Sequence, residues 1–434
     1  MSSARLFDTP DDATPNTMIY LFIHQNFPGQ YSKIVRHLAD QPGNKVYFIT
    51  QPNSNWMAGV TKLIYNRPIP DQVICHPFTY DFDVATRTGL AVAEVCKDLK
   101  TQGIVPDIIV GHAGWGEMTF VKDVFPNSPV LSYFEFYYHY SNVDLGFDPE
   151  FPRNPDDAFR LRVRNAITLL SFDSSDWGNT PTRWQWSVHP PEFRPRISIC
   201  HEGVDTEEVK PNPDASLLLA RDGVLLTRKD EVITYVARNL EPYRGFHTIM
   251  RAAPDILRSR PNAHIVFVGG DSVSYGAPPP AGTTYREIML NEVGERLDLS
   301  RVHFLGQIPY SSFLALLQIS SAHIYLTYPF VLSWSFVEAM ACGCAVIGSS
   351  TPPVMEVLED GVNGLAVDFF SARQVKERVD EILDHPDRMQ SLRDAARKTA
   401  VERFDLKTKR LPQWQMLLDQ LIARQPPSTV GDRL

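Results

Sequence analysis

The sequence of 434 residues contains no apolar run that reaches the 18 or more residues needed to span a bilayer. It also lacks an excess of positive charge, because 42 Lys and Arg stand against 51 Asp and Glu, which gives a formal net charge of −9. A basic nucleic-acid-binding surface over the whole protein is therefore excluded, and no nucleic-acid partner is predicted. Neither a P-loop nor a Ser-His-Asp order is found in the sequence.

Cysteine is scarce, and its five residues are scattered and odd in number, which does not suit a disulfide framework. We interpret them as small buried apolar residues of a protein in a reducing compartment. The first apolar run, 18–23, follows Asp8, Asp11 and Asp12, where a signal peptide would carry positive charge. We therefore expect a cytoplasmic protein.

Two other charged patterns leave alternatives open. Arg160, Arg162 and Arg164 suit either a solvated helix face or anionic lipid headgroups, which would place the protein peripherally at the inner face of the membrane. Asp81-Phe-Asp83 matches the D-x-D motif of metal-dependent sugar transferases. That motif is short and matches by chance frequently, so no metal site and no cofactor is predicted.

Alternating apolar runs and helical patterns predict an α/β protein. The length suggests two to three domains, since about 150 residues form a typical domain. Predicted strands lie in one block at 18–23, 45–50, 107–111 and 130–133, and in a second block at 231–237, 264–268, 302–305, 323–327 and 344–348. Strands that alternate with helices form parallel sheets, so we predict two doubly wound, Rossmann-like domains that face a central crevice.

Composition places the predicted domain boundaries. A proline- and glycine-containing break near 197–214 separates the two blocks. We predict one domain over 17–200, a second domain over 201–405, and a helix over 406–425. Ligands of such domains bind at the carboxyl ends of the strands.

Arg238 directly follows the predicted strand 231–237, and Arg244 lies six residues further on, before Gly245 and a helix. Two guanidinium groups at a strand end beside a helix N-terminus suit an anion such as a diphosphate. The alternative is a pair of arginines in a surface loop.

The stretch from Tyr328 to Gly343 leaves a predicted strand and enters a helix. Ser333 and Trp334 would present free backbone N–H groups at the start of that helix. Glu338 lies in its first turns, where a carboxylate suits the two hydroxyls of a ribose, or merely the helix dipole.

Two candidate residues lie in the first block. Gly29 is in the loop after the first strand, where a glycine allows the backbone to approach a ligand closely. His112 follows the strand 107–111 among glycines, which places it at the crevice unless its role is structural. A nearby cluster of aromatic residues, 133–140, suits either an acceptor pocket or core packing.

In combination these residues resemble the retaining glycosyltransferases of family 4, which have the GT-B fold. The resemblance covers about residues 18–425. Four motifs carry it in order: His201-Glu-Gly-Val-Asp205, Arg238 to Arg244-Gly245, Ser333 to Gly343, and Pro353-Val-Met-Glu356 with Asp360-Gly-Val-Asn-Gly364.

The resemblance implies transfer of a sugar, a hexose by expectation, from a nucleotide diphosphate sugar with retention at the anomeric carbon and without a metal. Arg238 and Arg244 would bind the diphosphate and stabilise the leaving group. Glu338 would hold the ribose, and the amides of Ser333 and Trp334 would cap the phosphates. From the first domain, Gly29 would approach the phosphate and His112 would contact the donor sugar. The resemblance also implies that the first domain, 17–200, is the acceptor side, where a glycan, lipid, protein or small molecule would bind. The second domain, 201–405, would bind the nucleotide sugar, and the helix 406–425 would cross back to the first domain.

Two positions depart from the family pattern. Arg244 replaces the usual lysine, which keeps the charge and allows bidentate phosphate binding. Phe330 replaces the first of two glutamates spaced eight positions apart, and a phenyl ring cannot accept hydrogen bonds from sugar hydroxyls. Our hypothesis is that Phe330 reshapes the sugar subsite. The missing carboxylate keeps two alternatives open, namely a sugar-nucleotide epimerase and an inactive nucleotide-binding partner of another transferase.

Overall fold

A computed structural model describes residues 17–67, 75–140, 143–152, 154–219 and 223–427. These residues form two compact units. The first contains the described residues up to Phe134, together with Ala166–Gly178 and Met416–Pro427. The second contains the described parts of Glu135–Asn165 and Asn179–Gln415. The segment Glu135–Asn165 is thus grouped with the second unit, whereas the domain limits 17–200, 201–405 and 406–425 stay a prediction.

The first unit is built on parallel strands with helices between them. Its strands are β1 Ile19–Ile23, β2 Lys45–Thr50, β3 Val60–Ile64, β4 Ile108–His112 and β5 Val130–Tyr133. Its helices are α1 Ser32–Ala39, α2 Tyr80–Thr101 and α3 Val121–Val124. The strand order is β3-β2-β1-β4-β5, and β1 pairs in parallel with both β2 and β4. Strands covered on both faces read as continuous apolar runs, and β1 is such a run.

Further elements follow β5. They are α4 Asp157–Asp173, β6 Trp177–Thr180, α5 Arg183–Ser187 and β7 Ile197–Ile199. The helix α13 Leu411–Ile422 lies near the end of the described chain. The boundaries between the two units fall within α4, β6 and α13.

The second unit has a parallel sheet of its own. Its strands are β8 Ser216–Leu219, β9 Val224–Thr227, β10 Val232–Asn239, β11 His264–Gly270, β12 Val302–Phe304, β13 Ala322–Tyr325, β14 Val346–Ser349 and β15 Leu365–Val367. Its helices are α6 Phe246–Ser259, α7 Tyr285–Val293, α8 Tyr310–Ile319, α9 Trp334–Ala341, α10 Pro352–Met355, α11 Ala372–Asp384 and α12 Pro386–Phe404. The sheet order is β12-β11-β10-β13-β14-β15, and β8 and β9 form a separate antiparallel pair.

The order of this sheet positions the candidate site. The chain starts at the central strand β10, moves outward to β12, and returns to β13 on the other side of β10. A ligand site of a doubly wound sheet lies at such a reversal, at the carboxyl ends of the strands. Arg238 and the loop that leads from β13 to α9 lie at these ends.

The predicted strands of both blocks are found in the structure, and the α/β class with two parallel sheets is confirmed. Arg238 lies within β10 rather than after it. Among the described residues, no helix combines the length and the apolar character that crossing a membrane requires.

Candidate functional site

Arg238 lies on the wall of a cavity of about 350 Å3 in the second unit. Most of the other lining residues are apolar, and Gln307 adds an amide: Ala237, Val268, Gly269, Gln307, Ile308, Tyr310 and Phe313. The Arg238 side chain is exposed, and within the described ranges its guanidinium makes no hydrogen bond or ion pair. The cavity therefore combines a largely apolar wall with a cation that has no protein partner in the part of the chain described.

Glu338 is connected to the same cavity through Tyr310. The hydroxyl of Tyr310, which lines the cavity, donates a hydrogen bond to Glu338 Oε1 at 2.8 Å. Burial, together with the nearby Glu338 carboxylate, raises the pKa of Tyr310, which keeps the phenol protonated as a donor. Glu338 itself does not line the cavity, but the structure connects it to a lining residue, Tyr310.

Arg244 has a different environment, because its side chain is buried with 6% exposure. Its Nη1 donates to Thr327 Oγ1 at 2.7 Å, to the carbonyl oxygen of Val331 at 2.9 Å and to the Tyr325 hydroxyl at 3.1 Å. Burial opposes the charged form, but the phenols of Tyr325 and Tyr275 and other neighbours keep the pKa of Arg244 above its ordinary value. Arg244 therefore holds the loop between β13 and α9.

Ser333 and Trp334 lie where that loop enters α9. The backbone N–H of Ser333 donates to the Tyr325 hydroxyl at 2.8 Å, so Tyr325 joins Ser333 to Arg244. Trp334 is the first residue of α9, with a side chain that is 47% exposed and an indole Nε1 that donates to Glu202 at 3.2 Å. The backbone N–H of Trp334 belongs to the first turn, where helix N–H groups lack an intrahelical acceptor.

Phe330 lies in the same loop and is only 3% exposed. Its ring contacts three other aromatic rings, with centroid distances of 4.7 Å to Phe136, 4.9 Å to Tyr275 and 5.5 Å to Tyr243. The position is therefore part of an aromatic cluster, and its apolar side chain packs against rings instead of offering an oxygen to a ligand.

In the first unit, Gly29 and His112 are both neighbours of His24. Gly29 has φ +56°, and a Cβ at this position would lie 2.7 Å from His24 Nδ1. The rings of His24 and His112 are 5.5 Å apart. His112 is buried at the end of β4, and its Nδ1 accepts a hydrogen bond from the Gly114 N–H at 2.9 Å. The structure thus groups these two predicted residues through a histidine that the sequence prediction did not single out.

The D-x-D motif lies in the first turn of α2. Asp83 forms an ion pair with Arg87 at 2.7 Å, one helical turn further along. A carboxylate at a helix start with a cation four residues later is a common stabilising pair of helices.

Sequence reasoning missed Tyr310 and Tyr325, which connect the predicted residues to one another. Tyr325 is the last residue of β13, and Tyr310 begins α8 after β12. Both lie at carboxyl ends of parallel strands, where ligand-binding residues of such sheets are found. Their position in the sequence therefore indicates a place near a ligand site. The sequence does not indicate the partners of their hydroxyl groups, because Glu338 and Arg244 belong to other segments.

The two parallel sheets and the cavity at the strand reversal define a protein of the GT-B fold. The model of the glycosyl transferase family 4 group matches residues 42–209, and the model of the glycosyl transferases group 1 matches residues 220–399. Together these matches cover most of the chain, and the protein belongs to the group 1 glycosyltransferases.

Similar proteins include two curated bacterial relatives. A D-inositol 3-phosphate glycosyltransferase of Corynebacterium aurimucosum is 24% identical over 202 residues, which is 46% of this chain and 46% of that protein. A GDP-mannose-dependent alpha-(1-6)-phosphatidylinositol monomannoside mannosyltransferase of Mycolicibacterium smegmatis is 24% identical over 61% of this chain and 65% of its own length. The matches thus span less than two thirds of either relative.

Solved structures agree in fold. Sucrose-phosphate synthase from Thermosynechococcus elongatus has a TM-score of 0.67 at 18% identity, over 94% of this chain and 100% of that one. Anabaena HepE in complex with UDP-glucose has a TM-score of 0.63 at 14% identity, over 94% and 98% of the two chains. At these identities the likeness shows the shared fold.

Proposed function

We propose that the protein is a retaining glycosyltransferase that moves a sugar from a nucleotide diphosphate sugar to an acceptor hydroxyl without a resident metal. In this reaction the bond from the anomeric carbon to the diphosphate oxygen breaks, and its electron pair leaves with the nucleotide diphosphate. A new bond forms from the anomeric carbon to the acceptor oxygen, and the proton of that hydroxyl passes to an oxygen of the leaving diphosphate. Negative charge grows on the leaving diphosphate, so stabilising that charge is the main task of the site.

The observation that carries the proposal is the Arg238 cavity. A diphosphate requires a cation that is not already paired, and the exposed Arg238 guanidinium provides one. Val268, Ile308 and Phe313 give the adjoining wall an apolar surface suited to a nucleobase. Family membership and the UDP-glucose complex of the structural neighbour support the same ligand class.

The other candidate residues receive roles that follow from their contacts. Glu338, oriented by Tyr310, would accept hydrogen bonds from ribose hydroxyls. Arg244 would act mainly by fixing the loop that leads to α9, since its Nη1 already binds Val331 and two side chains. The backbone N–H of Ser333 already donates to the Tyr325 hydroxyl. The backbone N–H of Trp334, in the first turn of α9, therefore suits a phosphate oxygen better.

Donor and acceptor are proposed only as classes. The Phe330 side chain is buried among aromatic rings, which supports a sugar subsite without the family's first carboxylate. The names of the two relatives refer to inositol-containing compounds, which supports an acceptor rich in hydroxyl groups. As the resemblance implies, Gly29 would approach the donor phosphate and His112 would contact the donor sugar.

The test is a thermal-shift panel with UDP, GDP, ADP and their common sugar conjugates. A ligand at about 100 times its dissociation constant stabilises the folded protein by roughly 2.7 kcal/mol. We expect a shift with one base that is lost in Arg238→Ala and kept in Arg162→Ala, a control at an exposed arginine outside this cavity. No shift with any nucleotide, or an equal shift in Arg238→Ala, would refute the donor site.

Transfer and stereochemistry need a second measurement. With the base known, donor turnover is followed without any partner protein, which separates an enzyme from a nucleotide-binding scaffold. The anomeric configuration of the product is then read by NMR. An α-linked product from an α-configured donor supports retention, whereas a β-linked product contradicts it, and a free isomerised sugar nucleotide would indicate an epimerase.

A further inference from the structure

A second and larger cavity, of about 720 Å3, lies in the second unit. It shares no lining residue with the Arg238 cavity. Its volume lies in the range of about 300–1,000 Å3 that small-molecule sites occupy. Five tyrosines and two phenylalanines contribute to its wall: Tyr138, Phe151, Tyr243, Phe246, Tyr275, Tyr285 and Tyr328. The wall therefore offers many aromatic faces, most of them with a hydroxyl group.

Most charged groups that line this cavity already have a hydrogen-bond or ion-pair partner. Asp157 pairs with Arg160 at 3.0 Å, and Glu150 pairs with Arg251, which lies behind it, at 2.7 Å. Arg164 lies over the ring of Tyr138 at 4.1 Å and donates to its hydroxyl at 3.1 Å. An ionic ligand would have to compete with these pairs, whereas a neutral polar ligand can share their remaining hydrogen-bonding capacity.

His247 is a buried residue of the cavity wall. Its Nε2 lies 3.1 Å from Asp148 Oδ2, and the hydroxyl of Tyr328 donates a hydrogen bond to the same oxygen at 2.9 Å. The Asp148 carboxylate therefore already has partners within the wall, which again disfavours an ionic ligand.

A divalent cation is a weaker candidate for the same place. One ligand atom each from Asp148, Glu150 and His247 lies within 4.8 Å of the others. However, both carboxylate oxygens of Glu150 accept hydrogen bonds from Arg251, at 2.7 and 2.8 Å. A cation at this point would have to displace a guanidinium of the same charge sign, so the contacts favour a neutral ligand.

We propose that the larger cavity binds a neutral carbohydrate. Aromatic faces can cover the apolar C–H faces of sugar rings, while paired carboxylates and guanidinium groups exchange hydrogen bonds with sugar hydroxyls. Carbohydrate binding at this cavity does not depend on the proposed transferase function.

The helix α4 supplies a matched pair of variants. Arg160 and Arg164 are four residues apart, on one face of the helix, and both line the cavity. Arg162 lies between them, is exposed and does not line the cavity. Arg164→Ala therefore removes a wall group, and Arg162→Ala removes the same charge from the same helix outside the wall. Ala277→Trp adds bulk at an exposed lining position.

The experiment measures binding of the full chain to an array of neutral and anionic oligosaccharides built from glucose, mannose, galactose and N-acetylglucosamine. Affinity for the neutral oligosaccharides that bind is then determined by calorimetry. We expect the wild type, Arg162→Ala and Arg238→Ala to bind alike. We expect Arg164→Ala and Ala277→Trp to bind at least about tenfold more weakly, which corresponds to 1.4 kcal/mol.

Three results would overturn the proposal: no neutral oligosaccharide binds, only anionic ones bind, or the two cavity variants bind as the wild type does. Calorimetry with Mn2+ and Zn2+ adds a fourth, since a cation that binds the wild type and is lost in Glu150→Gln would assign the cavity to a metal. The nucleotide thermal shift of each variant reports separately on the donor site. A protein that binds oligosaccharide but no nucleotide would keep the carbohydrate site and refute the proposed transferase.

Discussion

Arg238 and Arg244 look equivalent in the sequence, but the structure predicts that their replacement has different consequences. Arg238 is exposed, lies at a cavity and has no described protein partner. Arg244 is buried and binds Thr327, Val331 and Tyr325. Arg238→Ala should therefore impair the reaction without weakening the fold, whereas Arg244→Ala should impair both.

The magnitudes follow from these environments. An exposed substitution away from structural contacts changes the free energy of unfolding by no more than about 0.5 kcal/mol. Loss of one group that stabilises developing charge costs roughly 2–4 kcal/mol in the transition state, so kcat/KM of Arg238→Ala should fall about 30- to 900-fold. Removal of Arg244 leaves three acceptors without their charged donor, and two of them, the hydroxyls of Tyr325 and Thr327, belong to buried residues. The loss should lower the free energy of unfolding by on the order of 3 kcal/mol or more.

The assay combines urea unfolding with donor turnover for both alanine variants and for Arg244→Lys. Lysine keeps the charge but not the planar fork, so it should recover part of the stability lost in Arg244→Ala. A loss of stability in Arg238→Ala as large as that in Arg244→Ala would refute the structural distinction. A turnover rate of Arg238→Ala within about threefold of the wild type would refute the catalytic assignment.

Three further predictions concern stability. Gly29→Ala should lower the free energy of unfolding by about 1–2 kcal/mol because of the left-handed backbone conformation, and by a further amount because the new Cβ would lie 2.7 Å from His24 Nδ1. Gly103→Ala is the control, since Gly103 has φ +75° and open space around its Cβ. In urea unfolding it should show only the cost of the left-handed conformation. Phe330→Glu, which buries a carboxylate among aromatic rings, should cost on the order of 3 kcal/mol or more, and a wild-type unfolding midpoint would contradict that packing. Burial lowers the pKa of three histidines of the second unit: His189 to about 4, His201 to about 3 and His323 to about 4. Below pH 6.5 the unfolded chain protonates these three histidines, whereas the folded chain keeps them neutral. The free energy of unfolding should therefore fall by up to about 4 kcal/mol per pH unit as the pH decreases from 6 to 4. His323→Gln should reduce that slope by a third.

The elements that could be predicted from the sequence are those with a recognisable pattern within a short segment. Buried parallel strands such as β1 and β10 are apolar runs of adequate length, so their existence and type follow directly from the sequence. The strand β3 is half exposed and contains Lys62, and β6 contains a glycine and an asparagine within four residues. Such strands are stabilised by pairing with neighbours that are distant in sequence, and no local pattern marks them.

In the candidate site, likewise, features that depend on short segments could be predicted from the sequence, whereas contacts between distant segments could not. The spacing from a strand to Arg238, and the position of Glu338 in a helix, were accessible because both depend on short segments. The direction of the Arg244 side chain depends on Thr327 and Val331, more than eighty residues later in the chain. A guanidinium that faces a ligand and one that holds a loop have the same sequence signature, so three-dimensional contacts were needed to separate them.

The aromatic cluster at 133–140 was predicted either to line a pocket or to pack in a core, and its residues divide between these roles. Tyr133 is buried in β5 of the first unit, Phe136 packs on Phe330 in the second unit, and Tyr138 lines the larger cavity. Aromatic side chains suit both environments because they combine large apolar faces with, in tyrosine, a polar tip. Composition alone therefore does not separate pocket from core.

Phe330 links the departure from the family pattern to the larger cavity. Its ring contacts Tyr243 and Tyr275, which line that cavity, and the carbonyl of the next residue, Val331, accepts a hydrogen bond from Arg244. A carboxylate at this position would remove an apolar ring from the cluster and bring unpaired charge against those tyrosines. The Phe330 ring and the aromatic wall of the cavity thus form one packed group. The relative affinity of the larger cavity for different sugars should therefore change in variants of Tyr243 and Tyr275 as well as in variants of Phe330.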